Sequence, residues 1–241
     1  MKDVFLSIII PAYKEEERIH KSLEAIEKYY KTKDFVLEVL VVLDGTPDNT
    51  KEATEKFVDR VPNLRIIDRK ENKGKGYTVK EGVQKAKGKF ALFMDADNST
   101  PITEVDKLLT YATKNEVVIG SRYIEGGKLV IPQSFIRKLG GRMLNLIIRT
   151  IAVSGIRDTQ CGFKLFEKKA SEEIFKRQTF DRFSFDIELL AIARKLGYKI
   201  KEVGITWQDD PHSTVNPLKD GLKMIRDAYV VRKNMLAGKY K

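Results

Sequence analysis

The chain has 241 residues, 42% of them apolar and 33% charged, with a formal net charge of +11. That suits one large globular domain or two small ones, and no run approaches the roughly 18 consecutive apolar residues of a membrane span. Two histidines and the single Cys161 leave little for a zinc site and nothing for an internal disulfide, whereas abundant carboxylates suit Mg²⁺ or Mn²⁺. Met1-Lys2-Asp3 leads straight into an apolar run of strand length, so the expected compartment is the cytoplasm. The positive charge fits a nucleotide phosphate, a membrane surface or nucleic acid as partner, or a Lys/Glu-rich surface of a heat-adapted protein.

Val4 to Ile10 is nearly all apolar, as a strand buried on both faces should be. Pro11-Ala12-Tyr13 ends it, and Glu15 to Tyr30 is predicted as a helix with Ile19, Leu23 and Ile26 on one face. Val36 to Leu43 reads as a second strand, with Asp48-Asn49-Thr50 capping the next helix. Leu64 to Ile67 is a third strand, and Gly74-Lys75-Gly76 opens a helix running to about Ala86. Phe90 to Met94 and Val117 to Ile119 complete the series. This alternation predicts an α/β fold with a mostly parallel sheet and helices on both faces, its ligands beyond the carboxyl ends of the strands. Nothing marks a domain boundary, so a single domain over 1–241 is expected.

The chemistry-bearing residues fall on that rim. Asp95-Ala96-Asp97 directly follows the fourth strand; two carboxylates at this spacing can serve one hard cation, although such a pair alone also serves as loop caps. Asp44-Gly45-Thr46 ends the second strand with another acid. Asn72-Lys73-Gly74-Lys75-Gly76 joins glycine freedom, lysines and a helix N-terminus, which suits an anion. It has neither the Walker spacing nor the dinucleotide fingerprint, which argues against an NTPase or a dehydrogenase.

Ile10-Pro11-Ala12-Tyr13-Lys14-Glu15-Glu16, Val42 to Thr46, Asn72 to Gly76 and Asp95 to Asp97 stand in the order and spacing of family-2 glycosyltransferases, which the chain resembles over nearly its whole length. Gly120-Ser121-Arg122-Tyr123, Asp158-Thr159-Gln160-Cys161-Gly162-Phe163-Lys164 and Phe185 to Leu189 resemble the dolichyl-phosphate glucosyltransferase branch, with the mannosyltransferases as near relatives. The resemblance implies a glycosyltransferase-A type, Rossmann-like fold, with a nucleotide-sugar-binding half over 1–122 and an acceptor-side half over 123–241. It implies metal-dependent, inverting transfer of a hexose, glucose from UDP-glucose foremost, to a polyprenyl or dolichyl phosphate.

Carried over by residue, Pro11, Tyr13, Glu15 and Asp44 match positions that hold base and ribose, and Lys75 joins the nucleotide-sugar site. Asp95 and Asp97 match the metal pair, with Asp97 the more direct ligand, and Ser99 stands where relatives carry a metal-binding glutamine. Arg122 and Arg137 match positions that engage the diphosphate or acceptor phosphate, and Asp186 and Glu188 match acids near the sugar. Asp186 is also the candidate base if the acceptor is a sugar hydroxyl. The chain departs from the pattern at Leu43, at Lys14 and at Ser213-Thr214-Val215, where a lysine toward the diphosphate is missing and Lys219 or a metal must supply the charge.

From Ser134 to Arg157 there is no acidic residue, and Lys138, Arg142 and Arg149 stripe a helix whose apolar arc holds Leu139, Met143, Leu144, Ile147 and Ile151. That is the pattern of an interfacial helix, and equally of a core helix with a solvated basic edge. Arg137 falls on its apolar side, where a phosphate partner explains it. A terminal helix from Leu218 to Leu236 carries a similar division. Peripheral contact with the cytoplasmic face of a membrane is therefore expected. Transfer to a glycan hydroxyl, mannosyl transfer from GDP-mannose and a non-catalytic nucleotide-sugar binder are the competing readings. Aromatic residues are not interleaved with the basic ones, so nucleic acid is not an expected partner.

Overall fold

The computed structural model describes residues 3–130, 135–208 and 217–241, with side chains apart from those of 135–142 and 217–220. In chain order the elements are β1 (Val4–Ala12), α1 (Ile19–Tyr30), β2 (Val36–Asp44), α2 (Thr50–Glu55), β3 (Leu64–Arg69), α3 (Lys75–Lys85) and β4 (Phe90–Met94). There follow α4 (Val105–Ala112), β5 (Val117–Ser121), β6 (Lys128–Leu129), α5 (Phe135–Ile151), β7 (Phe163–Glu167) and α6 (Lys168–Arg177). The last four are α7 (Phe185–Lys195), β8 (Ile200–Gly204), β9 (Thr206–Trp207) and α8 (Pro217–Leu236).

Seven strands form one sheet in the order β3-β2-β1-β4-β7-β5-β8. The expected parallel pairings hold among β1 to β4, and β8 runs parallel to β5. β7 breaks the pattern: it lies antiparallel between β4 and β5, with Met94 opposite Phe163 and Phe93 opposite Lys164. The sequence pattern does not mark this strand, because its polar Lys164 is fully buried and disguises a two-face-buried segment. A short parallel pair, β6 with β9, stands beside the main sheet.

Each face of the sheet has its own core. One buries Ile19, Leu23 and Ile26 of α1 and Val105 and Leu108 of α4 against β1, β2 and β4. The other buries Val79 and Val83 of α3, Ile148 of α5, Ile174 of α6 and Val231 of α8 around α7. Every residue of α7 from Phe185 to Ala193 is buried, so this helix is central rather than a surface layer. Each such aliphatic side chain removed from water contributes roughly 1.5–3 kcal/mol.

The predicted helix from Glu15 begins at Ile19 instead. Lys14 adopts a left-handed φ of 58°. The amides of Lys14, Glu15 and Glu16 then donate to Thr46, Thr50 and Asp48 rather than awaiting a helical ladder. These side-chain acceptors outcompete the first helical turn and tie the end of β1 to the loop after β2.

Glu188, matched above to acids near the sugar, is fully buried on α7 and faces elsewhere. Its carboxylate accepts from the amides of Thr179 and Phe180, from the Thr179 hydroxyl and from the Tyr240 hydroxyl. It clamps the loop before α7 to the segment after α8. Glu188→Ala should therefore cost about 3–5 kcal/mol, because several buried donors lose their acceptor together. Urea unfolding measures this; full stability with abolished transfer would return Glu188 to the site.

Candidate active site

The ends of β1, β2 and β4 present Tyr13, Asp44 and Asp95 on one rim, and β5 ends nearby in Ser121-Arg122. Pro11 is buried where β1 pairs only with β2, since the pairing with β4 stops at Ile9. A proline is tolerated there because no ladder donor is lost to a second neighbour. Tyr13 is 42% exposed at the rim, with the Lys14 ammonium 5.5 Å from its ring centre.

The loop carrying Asp95 and Asp97 is fixed from several sides. The Ala96 carbonyl accepts from the buried Ser22 hydroxyl of α1 at 2.7 Å. Asp97 accepts from the Ser99 amide at 2.9 Å, across Asn98 in a left-handed φ of 57°. Ser99 is buried and serves Asp97, holding the carboxylate in place. The amide of Asp95 donates to the Gly162 carbonyl at 3.2 Å, so the segment leading into β7 forms the wall behind it. A side chain at Gly162 would overlap the Asp95 carboxylate, which explains why the Asp158–Lys164 segment needs glycine here.

Charge is crowded in this pocket. Lys75, in the first turn of α3, lies 2.6 Å from Asp95. Burial works to lower its pKa, but Asp95 and Asp186 outweigh it and hold the ammonium charged. Asp97 is pushed up by burial first and by the charge of Asp95 second. Glu15 is pushed up to about 7, mainly by burial with Asp97 and Asp95 adding, although Arg18 pairs with it at 2.8 Å. One Glu15 oxygen is buried without a partner. Excess, poorly solvated negative charge is the setting a divalent cation relieves. Among the described residues no cluster of three or more His, Cys, Asp or Glu is placed to cage a metal. A two-carboxylate set nonetheless fits Mg²⁺ or Mn²⁺, which keep waters and complete their shells with substrate phosphates.

Other expected contacts are already committed. Asp44, matched to base or ribose, accepts from the amides of Lys73 and Gly74 and from Arg69. It shapes the 72–76 loop instead of presenting a free carboxylate. Gly45 at φ +60° allows the approach, since a β-carbon there would sit 2.6 Å from the Asn72 amide. Arg122, expected on a phosphate, is gripped by the fully buried Asp158 through Nε at 2.8 Å and Nη2 at 2.9 Å. Its guanidinium lies over the rings of Tyr123 and Trp207, at 5.2 and 5.1 Å. Burial opposes ionisation of Asp158, yet Arg122 outweighs it and holds the carboxyl below its usual range. Most of the Arg122 charge is therefore spent internally.

Asp186 is 6% exposed and ion-paired with the fully buried Lys164, whose ammonium also donates to the Cys161 carbonyl at 2.6 Å. Burial raises the Asp186 carboxyl against the pull of Lys164 and Lys75. The side chains of Arg137, Lys138, Arg142 and Lys219, and residues Ser213 to Val215, lie outside the described residues. Sequence reasoning missed two residues that organise the site, Lys164 and Arg69. Arg69 bridges Asp44, Glu81 and Thr78 at the end of β3, and its place on the strand-end rim was the available signal.

With the geometry established, comparison with known proteins places the chain. Residues 7–175 match the model for Glycosyl transferase family 2. The dolichyl-phosphate beta-glucosyltransferase of Dictyostelium discoideum is 32% identical across 99% of this chain and 77% of that protein. The enzyme of the same name from Saccharomyces cerevisiae is 32% identical across 100% of this chain and 78% of its own length. Among solved structures, mannosyl-3-phosphoglycerate synthase from Rubrobacter xylanophilus superposes with a TM-score of 0.70, at 14% identity, covering 98% of this chain and 76% of that one. Glucosyl-3-phosphoglycerate synthase from Mycobacterium tuberculosis, solved with Mn²⁺, UDP and glucosyl-3-phosphoglycerate, superposes at 0.66 with 18% identity, covering 98% and 80%. At that identity the two structures speak for the fold, which is the glycosyltransferase-A type.

Glu15 carries a pH signature. Its carboxyl is raised in the folded state, so its stabilising contribution is complete below about 4.5 and is lost as pH rises toward about 7. Glu15→Gln should gain stability relative to the parent by up to about 3 kcal/mol between pH 5 and pH 8. Denaturant unfolding at both pH values reads the difference. A constant difference between the two proteins would mean that Glu15 titrates as an ordinary surface acid.

Proposed function

Because the chain belongs to glycosyl transferase family 2, we propose that it moves a hexose, glucose from UDP-glucose, onto the phosphate of a dolichyl or other polyprenyl phosphate. The observation that carries this reading is the junction of the Asp95–Asp97 loop with the wall before β7, built from the segment that the dolichyl-phosphate branch shares. Near full-length similarity to dolichyl-phosphate beta-glucosyltransferases supports the same acceptor.

Asp97 and Asp95 are the residues to hold Mg²⁺ or Mn²⁺, which when bound supplies Lewis-acid neutralisation of the departing diphosphate. Tyr13 offers its exposed ring to the base, and the loop pinned by Asp44 and Arg69 shapes the pocket beneath it. Lys75 keeps a positive charge at the start of α3, where a diphosphate also meets the helix N-terminus. Asp186, held by Lys164, contributes a fixed negative field that favours positive charge developing on the sugar. Transfer proceeds by direct displacement with inversion.

The state of Asp186 favours a phosphate acceptor over a glycan hydroxyl. A hydroxyl needs a base with reach to its proton, whereas Asp186 is buried and paired. A lipid phosphate, with a second pKa of about 6, is already a nucleophile near neutral pH. Contact with the membrane that carries such an acceptor is peripheral in this reading and on the cytoplasmic face; among the described residues no helix is long and apolar enough to cross a bilayer.

Titration calorimetry with UDP-glucose and GDP-mannose in Mn²⁺, Mg²⁺ and EDTA tests donor and metal together. UDP-glucose should bind appreciably only with a divalent ion, and Asp97→Asn should abolish most of that dependence while leaving the fold intact. Equal affinity in EDTA would remove the metal from the proposal, and preference for GDP-mannose would change the sugar.

Arg137 is the proposed partner of the acceptor phosphate. Loss of one charge-assisted phosphate contact, about 1.5–3 kcal/mol, should slow transfer to a short polyprenyl phosphate roughly 10- to 150-fold in Arg137→Ala. Donor affinity should remain unchanged. Lys138→Ala serves as the neighbouring control, and equally mild losses in both variants would refute the role.

A further inference from the structure

α5 and the turn after it border a cavity that none of the site carboxylates lines. Its volume is about 370 Å³, and Tyr123, Asn145, Leu146, Arg149 and Arg157 form its walls. A second cavity of about 450 Å³ shares Leu146, Arg149 and Arg157.

Three features of this cavity point the same way. Neither Arg149 nor Arg157 has a carboxylate partner among the described residues, and no acid occurs between Phe135 and Arg157. Two acids beside this segment are engaged by other donors. Asp158 grips Arg122, and the two Glu202 oxygens accept the amides of Arg157 and Asp158. Two guanidiniums thus share a cavity with no ion-paired carboxylate among the described residues. Second, Asn145 is 6% exposed, and its Oδ1 has no hydrogen-bond partner. That oxygen is an acceptor, so what it lacks is a donor such as a hydroxyl. Third, the rim is apolar and uncovered: Met143, Leu146 and Ile147 are 60%, 49% and 37% exposed. At spacings of three and four they occupy one helix face, while Ile148 turns to the core.

α8, which packs against α5, carries an exposed apolar stripe of its own. Met224, Ala228 and Val231 of α8 face the core, whereas Leu222, Tyr229 and Leu236 stand exposed along a stripe of seven-residue spacing. A soluble anion explains the arginines but not this uncovered apolar band. A lipid explains both, because its phosphate meets the guanidiniums while the neighbouring side chains enter the acyl boundary.

We propose that this cavity seats the headgroup of an anionic membrane lipid, with Arg149 and Arg157 as charge partners of its phosphate and Asn145 Oδ1 accepting from a headgroup hydroxyl such as phosphatidylglycerol offers. The inference rests on the membrane-contact reading above and names the residues that make it. None of the site carboxylates lines it, so it acts by holding the protein at the surface where the acceptor resides.

Cosedimentation with phosphatidylcholine vesicles, with and without phosphatidylglycerol, tests it. The parent should bind the anionic vesicles and release them in high salt. Arg149→Gln/Arg157→Gln should lower partitioning about thirtyfold, at about fivefold for each arginine near an anionic surface. Lys21→Gln/Lys28→Gln removes the same charge from exposed positions on α1 and should change partitioning less than twofold. UDP affinity, measured in parallel, should be unchanged in both. Should the double arginine variant fold poorly, the single Arg157→Gln, at an exposed position, should still show about fivefold.

Equal losses in the arginine and lysine pairs would overturn the site and leave only diffuse attraction. Undiminished vesicle binding, with loss of thermal stabilisation by inorganic phosphate, would make the cavity a soluble-anion site and overturn the lipid. A parent that ignores both kinds of vesicle would overturn the membrane reading as well, which separates that failure from failure of the arginines alone.

Discussion

The rest of the structure answers to one electrostatic constraint: too much negative charge gathered at the strand ends. Glu15, Asp95, Asp97 and Asp186 lie close enough for their charges to act on one another, and burial strips them of the water that would keep them apart. Lys75 and Lys164 offset part of this charge from two sides, one from the start of α3 and the other from within the sheet. Burying a lysine as completely as Lys164 is tolerable only with such a partner. The remaining imbalance leaves poorly solvated negative charge at this rim. The loop geometry is pinned by two hydrogen bonds, Ser22 to the Ala96 carbonyl and the Ser99 amide to Asp97.

Legibility in the sequence followed burial. Strands β1 to β5 could be read because a strand covered on both faces is a continuous apolar run, and Val4 to Ala12 or Phe90 to Met94 admit few other readings. β7 could not, since a lysine at its second position signals solvent until Asp186 is known to lie beside it. The start of α1 was misread for a related reason: acceptors from another segment, at Thr46, Asp48 and Thr50, claimed amides that local pattern assigned to a helix.

The same division runs through the site. Asp95, Asp97, Glu15 and Lys75 stand near where strands end or a helix begins, a position visible in one dimension. What each does depends on who stands opposite. Asp44 was expected to face a ligand but closes a loop, and Arg122 was expected on phosphate but is spent on Asp158. Glu188, two residues from Asp186 on the same helix, turns to Tyr240. A helical spacing of two separates side chains by more than a right angle, so only one of this acid pair can serve the pocket.

The antiparallel strand β7 also sets the order in which the sheet can be assembled. β1 to β4 are made consecutively and pair with one another directly, but the inner edge of β4 waits for residues 163–167. β5, synthesised more than forty residues earlier, cannot join its sheet until β7 arrives between them, because it touches no other strand of the first half. As the chain leaves the ribosome, β4 therefore shows an unpaired edge and β5 has no place to lie, and both are exposures that invite mispairing. A single late strand bridges β4 and β5, and the same segment sets Gly162 beside Asp95 and Lys164 where Asp186 will meet it. The strand that makes the sheet continuous from β4 to β5 is thus also the one that follows directly from the wall behind Asp95, and a chain that lacks it has no such bridge.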